Sequence, residues 1–157
     1  MRRVRPHTAR TSNLHMNSVR QFTLEGALQH DPAVARWFAA PPVQLRSIAQ
    51  SWFQTMRAAG PDVVELLHDG YPTACVGDLA LGYVNAFAEH VNVGFFFGSV
   101  LRDPSRLLEG SGRFMRHVKV RPNAFSHEAE LRELLVHAYA DLKSRLPSNE
   151  PRRAGVF

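Results

Sequence analysis

The sequence predicts a two-layer α+β domain in which a helix, a five-stranded antiparallel meander and a second helix follow one another. Three observations support this fold class. Apolar residues recur every three to four positions over residues 43–59, every second position over residues 63–121, and again with the helical period after residue 126. The connections between the strands are short, which favours neighbouring antiparallel strands with both helices on one face.

Two helices are expected before the sheet. Asp31 can cap a short helix that has Pro32 at its first position, and the Pro41-Pro42 pair ends it. The longer helix that follows ends at Gly60-Pro61. The spacing of its apolar residues predicts a stripe that covers the sheet, and we prefer this interpretation to a cofactor pocket. The stripe consists of Leu45, Ile48, Ala49, Trp52, Phe53 and Met56.

The strands and the last helix come next. We expect strands over residues 63–69, 71–76, 79–88, 91–97 and 114–121. Gly77-Asp78 is a hairpin dipeptide, and Glu89-His90 joins the third strand to the fourth. Past Pro122 the helical period returns, with Ser126 as the expected cap and Pro147 as the end. The apolar stripe of this helix is Leu131, Leu134, Leu135, Ala138 and Leu142.

Alternation along the third and fourth strands divides their residues between two faces. The helix-packed core is expected to contain Leu79, Leu81, Tyr83 and Phe87 together with Val91, Val93, Phe95 and Phe97. The opposite face would then carry Ala80, Gly82, Val84, Ala86 and Ala88 with Asn92, Gly94 and Phe96. Small side chains dominate this second set, so it predicts a nearly bare surface that a ligand, a partner or a second copy of the chain can approach.

The 157 residues suffice for one hydrophobic core, which we place in a single domain over residues 29–146. Residues 1–28 lack sustained periodicity and are expected to form a flexible basic arm. The arm either binds a polyanion or directs targeting, or it is an extension without function, including the case that translation starts at Met16. Residues 147–157 are expected to be a flexible tail.

Composition excludes several classes of protein. The single cysteine, Cys75, cannot form an internal disulfide, and no apolar run approaches the roughly 18 residues of a membrane span. We therefore expect a cytoplasmic protein without a membrane partner.

The net charge of +5 is concentrated at the two ends, whereas residues 61–110 carry two arginines against seven acids. This distribution does not indicate a nucleic-acid-binding protein.

The segment LLEGSGRFMRHVKVR, residues 107–121, combines two glycines with several cations. If Val118 and Val120 point to the core, His117, Lys119 and Arg121 point to the open face, which Asn92 shares. The backbone N–H groups around Gly-x-Gly can converge on an anion. The candidate anion-binding residues are Gly110, Gly112, Arg113, Arg116, His117, Lys119 and Asn92.

Arg116 has the parity of the core within this segment, where an unpaired guanidinium would be costly. We expect it either to precede the regular strand or to pair with a carboxylate such as that of Glu109.

The sequence gives little support for a metal site or for a catalytic residue. None of the eight histidines forms a His-x-His or His-x-x-x-His pair. The remaining candidates for a metal site are Glu89, His90 and His117. We prefer the interpretation that these three residues belong to a turn and to the surface. The serines lack the context of a nucleophile elbow, and Cys75 lies in an apolar strand, where a buried, inert thiol is expected. We predict no catalytic residue and a protein that is not an enzyme.

Three motifs carry a resemblance to a known family. They are the turn at residues 69–72, Asp-Gly-Tyr-Pro; the segment at residues 89–95, Glu-His-Val-Asn-Val-Gly-Phe; and residues 108–119, Leu-Glu-Gly-Ser-Gly-Arg-Phe-Met-Arg-His-Val-Lys. Over about residues 44–140 the chain resembles the bacterial YdhG-like family, a domain of unknown function. The resemblance implies a frataxin-like fold.

Some members of that family have been called frataxin-like iron chaperones, so the resemblance also implies iron as a possible cofactor or cargo. Frataxin-type iron sites are rows of carboxylates on the first long helix and the adjoining strand, since iron prefers oxygen ligands. Here residues 43–59 contain no Asp or Glu, and the acids of residues 62–109 are dispersed.

Three functions therefore remain open. The first is a non-catalytic module that binds a small anionic ligand through the basic segment, with no cofactor. The second is a protein-interaction or homodimerisation module that uses the small-residue face of the sheet. The third, which depends on the resemblance alone, is an iron-binding chaperone.

Overall fold

The computed structural model describes residues 20–147, which form a five-stranded antiparallel sheet with helices packed on one face. The predicted α+β class and the meander order are confirmed, since each strand pairs with the next one in the chain. The strands are β1 (Val63–His68), β2 (Tyr71–Val76), β3 (Leu79–Ala86), β4 (Val91–Phe95) and β5 (Arg116–Val120). The helices are α1 (Pro32–Ala39), α2 (Val43–Arg57) and α3 (Glu128–Arg145), with a 3₁₀ turn at Gly98–Val100.

Helices α1 and α2 begin where the sequence predicts, and α2 ends at Arg57, three residues before the predicted stop at Gly60. The carboxylate of Asp31 accepts a hydrogen bond from the backbone N–H of Ala33 at 2.9 Å, and Pro32 occupies the first turn. Helix α2 packs against β3 and β4. Its apolar stripe is confirmed, with Ile48 half-buried at the margin and Leu45, Ala49, Trp52, Phe53 and Met56 buried.

Helix α3 lies beside α2 on the same side of the sheet and buries all five apolar residues of its predicted stripe. Its N-cap is His127, which makes no side-chain capping bond, so the expectation for Ser126 is wrong. The Tyr139 hydroxyl donates to Asp62 at 2.6 Å, and Lys143 also binds that carboxylate. These contacts hold the pKa of Asp62 below its ordinary value and tie α3 to the start of β1.

No helix within residues 20–147 combines the length and the apolar character needed to cross a membrane.

The register of β3 against β4 assigns the small residues of β3 to the face that α2 covers. Gly82 pairs with Phe95, Val84 with Val93, and Ala86 with Val91. Directly paired residues share a face of the sheet, and the β4 partners are fully buried in the core. A Cβ atom on Gly82 would lie 2.9 Å from the terminal methyl of Met56 in α2. The prediction of a bare open face at Gly82, Val84 and Ala86 is therefore wrong.

Tyr83 lies on the face opposite the helices, again contrary to the prediction, because it pairs with Gly94. The ring of Tyr83 lies across Gly94, where any Cβ atom would overlap it. Leu81 remains buried because the β2–β3 register shifts at Ala74 and Cys75, which leaves Leu81 as an extra residue in β3. Phe87 was expected in the core but lies beyond the strand with 44% of its surface exposed.

Residues 22–28, expected to belong to the arm, are instead part of the folded domain. Phe22 is buried against Phe96, Phe97 and Phe114 in edge-to-face contacts. Leu28 exchanges two backbone hydrogen bonds of 2.8 Å with Glu65 at the outer edge of β1. The predicted boundary at residue 29 is therefore too late. Most of the remaining predicted arm, residues 1–19, and most of the predicted tail, residues 148–157, lie outside the described residues.

Substitution of Gly82 by alanine should destabilise the protein by about 1–3 kcal/mol, because the new methyl group would overlap the Gly94 carbonyl oxygen and the Met56 side chain. The contact distances of 2.6 Å to the Gly94 carbonyl oxygen and 2.9 Å to Met56 leave no space for it. Gly112→Ala is the matched control, since its Cβ would meet nothing closer than 3.8 Å and its effect should stay within about 0.5 kcal/mol. Urea unfolding measures both; equal effects would contradict the packing described here.

Candidate functional site

The sheet face opposite the helices, here called the outer face, carries a mixture of aromatic and polar side chains. Pairing aligns Tyr83, Gly94 and His117 in one row across β3, β4 and β5. The adjacent row is formed by Asn85, Asn92 and Lys119. The structure thus brings together three of the predicted anion-binding residues, Asn92, His117 and Lys119, on the face where they were expected.

Asn92 occupies the centre of the second row and has a buried amide oxygen, Oδ1, without a hydrogen-bond partner among residues 20–147. Its neighbour Asn85 does not satisfy it: the Asn85 side-chain oxygen accepts a hydrogen bond from the backbone N–H of Ala86 at 2.9 Å, and the Asn85 amide NH2 makes no hydrogen bond to Asn92 Oδ1. A buried acceptor without a donor costs free energy, and native structures leave few of them. A ligand that donates a hydrogen bond to this oxygen would remove that cost, but the oxygen has almost no surface exposed to solvent, so the neighbouring side chains must first shift to admit the ligand.

His117 lies one row away and is held in a neutral form. Burial lowers the pKa of its imidazole below the ordinary value of 6.5; the Glu109 carboxylate opposes this shift, and Lys119 and His90 add to it. The backbone of His117 exchanges two hydrogen bonds with Glu109, at 2.8 and 3.0 Å, so the position of the strand edge is fixed. His117 therefore supplies a hydrogen-bonding ring rather than a positive charge at pH 7.

Lys119 provides the positive charge of the outer face. Its ammonium nitrogen lies 3.9 Å from a carboxylate oxygen of Glu109, and both side chains are exposed, at 36% and 50%. An exposed pair at that separation contributes little to stability. Asn92 is the residue directly paired with Lys119. Lys119 is thus able to give up its contact with Glu109 and bind an anion that lies next to Asn92.

The loop before β5 uses Arg116 for its own structure. The guanidinium donates to the carbonyl oxygen of Met115 at 2.6 Å and to that of Gly112. Arg116 is the first residue of β5 and pairs with Phe95 of the core face. The expectation that it precedes the strand or pairs with Glu109 is therefore wrong. A guanidinium at this site is satisfied by backbone carbonyls instead of a carboxylate.

The remaining predicted residues, Gly110, Gly112 and Arg113, belong to the same loop. Gly110 has a φ of +121°, which glycine adopts readily and other residues rarely do. The Arg113 guanidinium lies 5.3 Å from the centre of the Phe114 ring, a cation–π distance. The loop therefore has a clear structural role, and Arg116 lies on the sheet face opposite Lys119 and His117.

The three metal candidates do not form a metal-binding group. Glu89 is exposed in the β3–β4 turn, and the His90 ring stacks on Phe87 with centroids 4.9 Å apart. Within residues 20–147 there is no cluster of three or more His, Cys, Asp or Glu side chains that could hold a metal ion.

Sequence reasoning missed the two tyrosines of the outer face. Tyr71 and Tyr83 contact each other with ring centroids 5.0 Å apart. Burial raises the pKa of both hydroxyls, so they remain protonated hydrogen-bond donors at neutral pH. The missed signal is hairpin parity. A hairpin with an even number of loop residues pairs odd positions of one strand with even positions of the next, which places Tyr83 opposite Gly94.

Comparison with known proteins gave no family assignment: no family model matches the chain, and neither the curated proteins nor the solved structures contain a significant match.

Replacing Arg116 by alanine should destabilise the loop, because two carbonyl oxygens lose a charged donor. We expect a loss of about 1 kcal/mol in urea unfolding, below the usual contribution of hydrogen bonds to charged groups because the site is partly exposed. Amide hydrogen exchange over residues 110–115 should accelerate. Arg113→Ala is the control and should change stability by less than about 0.5 kcal/mol; if it matches Arg116→Ala in both measurements, the bracing role of Arg116 is refuted.

Proposed function

We propose that this protein is a non-catalytic binding module that holds a small anionic ligand on its outer face. The observation that carries the proposal is the buried, unpartnered Oδ1 of Asn92 directly beside the loosely paired ammonium group of Lys119. A ligand that donates to the first and is attracted by the second satisfies both groups at once.

The chemistry of these two groups defines the ligand class. The ligand needs a hydrogen-bond donor and a negative charge a few ångströms apart, as in a hydroxy acid or a protonated phosphate. Inorganic phosphate is the simplest probe, since at neutral pH it carries both P–OH and P–O⁻ groups. Sulfate has a similar size and shape but no donor. The neutral His117 and the protonated Tyr83 offer additional hydrogen bonds at the margin of the same face.

The motif resemblance is compatible with this function. We assign the chain to the YdhG-like domains with a frataxin-like arrangement on the basis of residues 69–72, 89–95 and 108–119. The observed order of helices and five-stranded meander supports that assignment. In this proposal the protein acts in the cytoplasm and needs no cofactor.

The two alternative functions have less support. Homodimerisation through the small-residue face lacks a free surface, because α2 covers Gly82 and its neighbours. Iron delivery needs a row of carboxylates. Helix α2 contains none, and Glu109, a carboxylate near the outer face, lies 3.9 Å from the ammonium nitrogen of Lys119.

The proposal predicts that phosphate shifts the amide resonances of residues 92–94 and 117–119 in a saturable titration followed by ¹⁵N–¹H NMR. Lys119→Gln removes the charge at nearly constant length and should weaken phosphate binding at least tenfold. Asn92→Asp should do the same through repulsion. Sulfate should bind more weakly than phosphate because it cannot donate to Asn92.

Arg113→Gln is the matched control, because it removes a cation of the neighbouring loop and leaves the outer face intact. We expect phosphate affinity to change less than twofold. Equal losses in Arg113→Gln and Lys119→Gln would place the anion at the Gly-x-Gly loop instead. An absence of saturable shifts with phosphate and with a hydroxy acid such as lactate would refute the proposed function.

A further inference from the structure

A concave site lies on the helix side of the molecule, away from the outer face. It is a cleft of about 440 Å³ between α2, the end of β5 and the first turn of α3. This volume falls in the range of small-molecule pockets. The side chains that matter for its chemistry are Ile48, Trp52, Arg121, Phe125, Glu128 and Arg132.

The floor of the cleft is aromatic. Trp52 of α2 and Phe125 of the β5–α3 connection meet edge to face, with ring centroids 6.2 Å apart and planes at 89°. Ile48, one turn earlier in α2, extends the apolar surface. Asn123 adopts a φ of +60°, so the connection turns sharply and brings Phe125 back toward α2. A flat ring placed here gains edge-to-face contacts in addition to the burial of its area.

The rim of the cleft is positively charged. Arg132 lies 5.7 Å from the centre of the Trp52 ring, and its contact with Glu128 is long, at 3.9 Å, with both side chains mostly exposed. Arg121, which alternation predicted on the open face, follows the last residue of β5 and lines this cleft instead. Its exposed side chain makes no ion pair or hydrogen bond within residues 20–147. Two guanidinium groups against one carboxylate leave a surplus of one positive charge at the opening.

We propose that this cleft binds a small aromatic carboxylate. The ring would lie on the floor formed by Trp52 and Phe125. The carboxylate would reach Arg132 and Arg121, whose planar guanidinium groups match a carboxylate with two parallel hydrogen bonds. The surplus of one charge at the rim favours a monoanion. The cleft shares no residue with the outer face, so the test of benzoate binding here is independent of the test of phosphate binding there.

Fluorescence of Trp52 provides the test, because the chain has two tryptophans and Trp37→Phe leaves Trp52 as the reporter. In this background benzoate should cause a saturable change in emission. Benzamide, which has the same ring without the charge, should bind at least tenfold more weakly. Arg132→Gln should weaken benzoate binding at least fivefold and leave benzamide binding unchanged.

Arg36→Gln is the matched control, since Arg36 is an exposed arginine of α1 outside the cleft, and it should not affect either ligand. Arg121→Gln repeats the comparison if Arg132→Gln does not fold. The proposal is overturned if benzoate causes no saturable change, or if benzoate and benzamide bind equally well. It is also overturned if removal of either rim arginine leaves benzoate affinity unchanged.

Discussion

The close approach of α2 to β3 at Gly82 is the contact on which the rest of the structure depends. A side chain at this position would collide with Met56 from the helix and with the Gly94 carbonyl oxygen from the neighbouring strand. Glycine in a strand interior lowers stability by roughly 0.5–1 kcal/mol relative to alanine in the absence of such crowding. The gain here is close packing of α2 on Val84, Val93 and Phe95, all of which are buried.

The packing of α2 at Gly82 also determines which side chains occupy the outer face of the sheet. Because α2 and α3 both pack on the face of Gly82, the outer face is left to half-buried polar and aromatic side chains. Tyr83 fills the space above Gly94, and the adjacent row presents Asn92 and Lys119 side by side. In the proposed function this row, with its unpartnered acceptor and its loosely paired cation, is the surface that binds the ligand.

Local patterns in the sequence predicted the elements of the fold because helix periodicity and turn dipeptides depend on neighbouring residues. The assignment of the β3 residues to the two faces of the sheet required more than these local patterns. Both alternating sets in β3 are apolar, so size suggested Leu81 and Tyr83 as the core set. Hairpin parity decides otherwise: Ala86 pairs with Val91, which places even positions of β3 with odd positions of β4.

Two further differences arise from interactions that no local pattern encodes. Phe22 packs in an aromatic cluster with residues more than 70 positions away, and its segment has no periodicity of its own. Arg116 binds backbone carbonyls, which every residue possesses, so no acidic partner in the sequence could indicate its role. Alternation in β5 correctly placed His117 and Lys119 with Asn92, since Val118 and Val120 leave no doubt about the buried face. Tyr83 was assigned to the wrong face together with Gly82, Val84 and Ala86 of β3.

Nuclear Overhauser effects from the terminal methyl group of Met56 test the central packing contact most directly. The structure predicts strong effects to the α protons of Gly82, because a Cβ atom there would lie only 2.9 Å from that methyl carbon. It predicts none to the ring protons of Tyr83, which lie on the other side of the sheet. Effects to the Tyr83 ring without effects to Gly82 would show that the small residues of β3 face outward, and would contradict both the fold and the outer face described here.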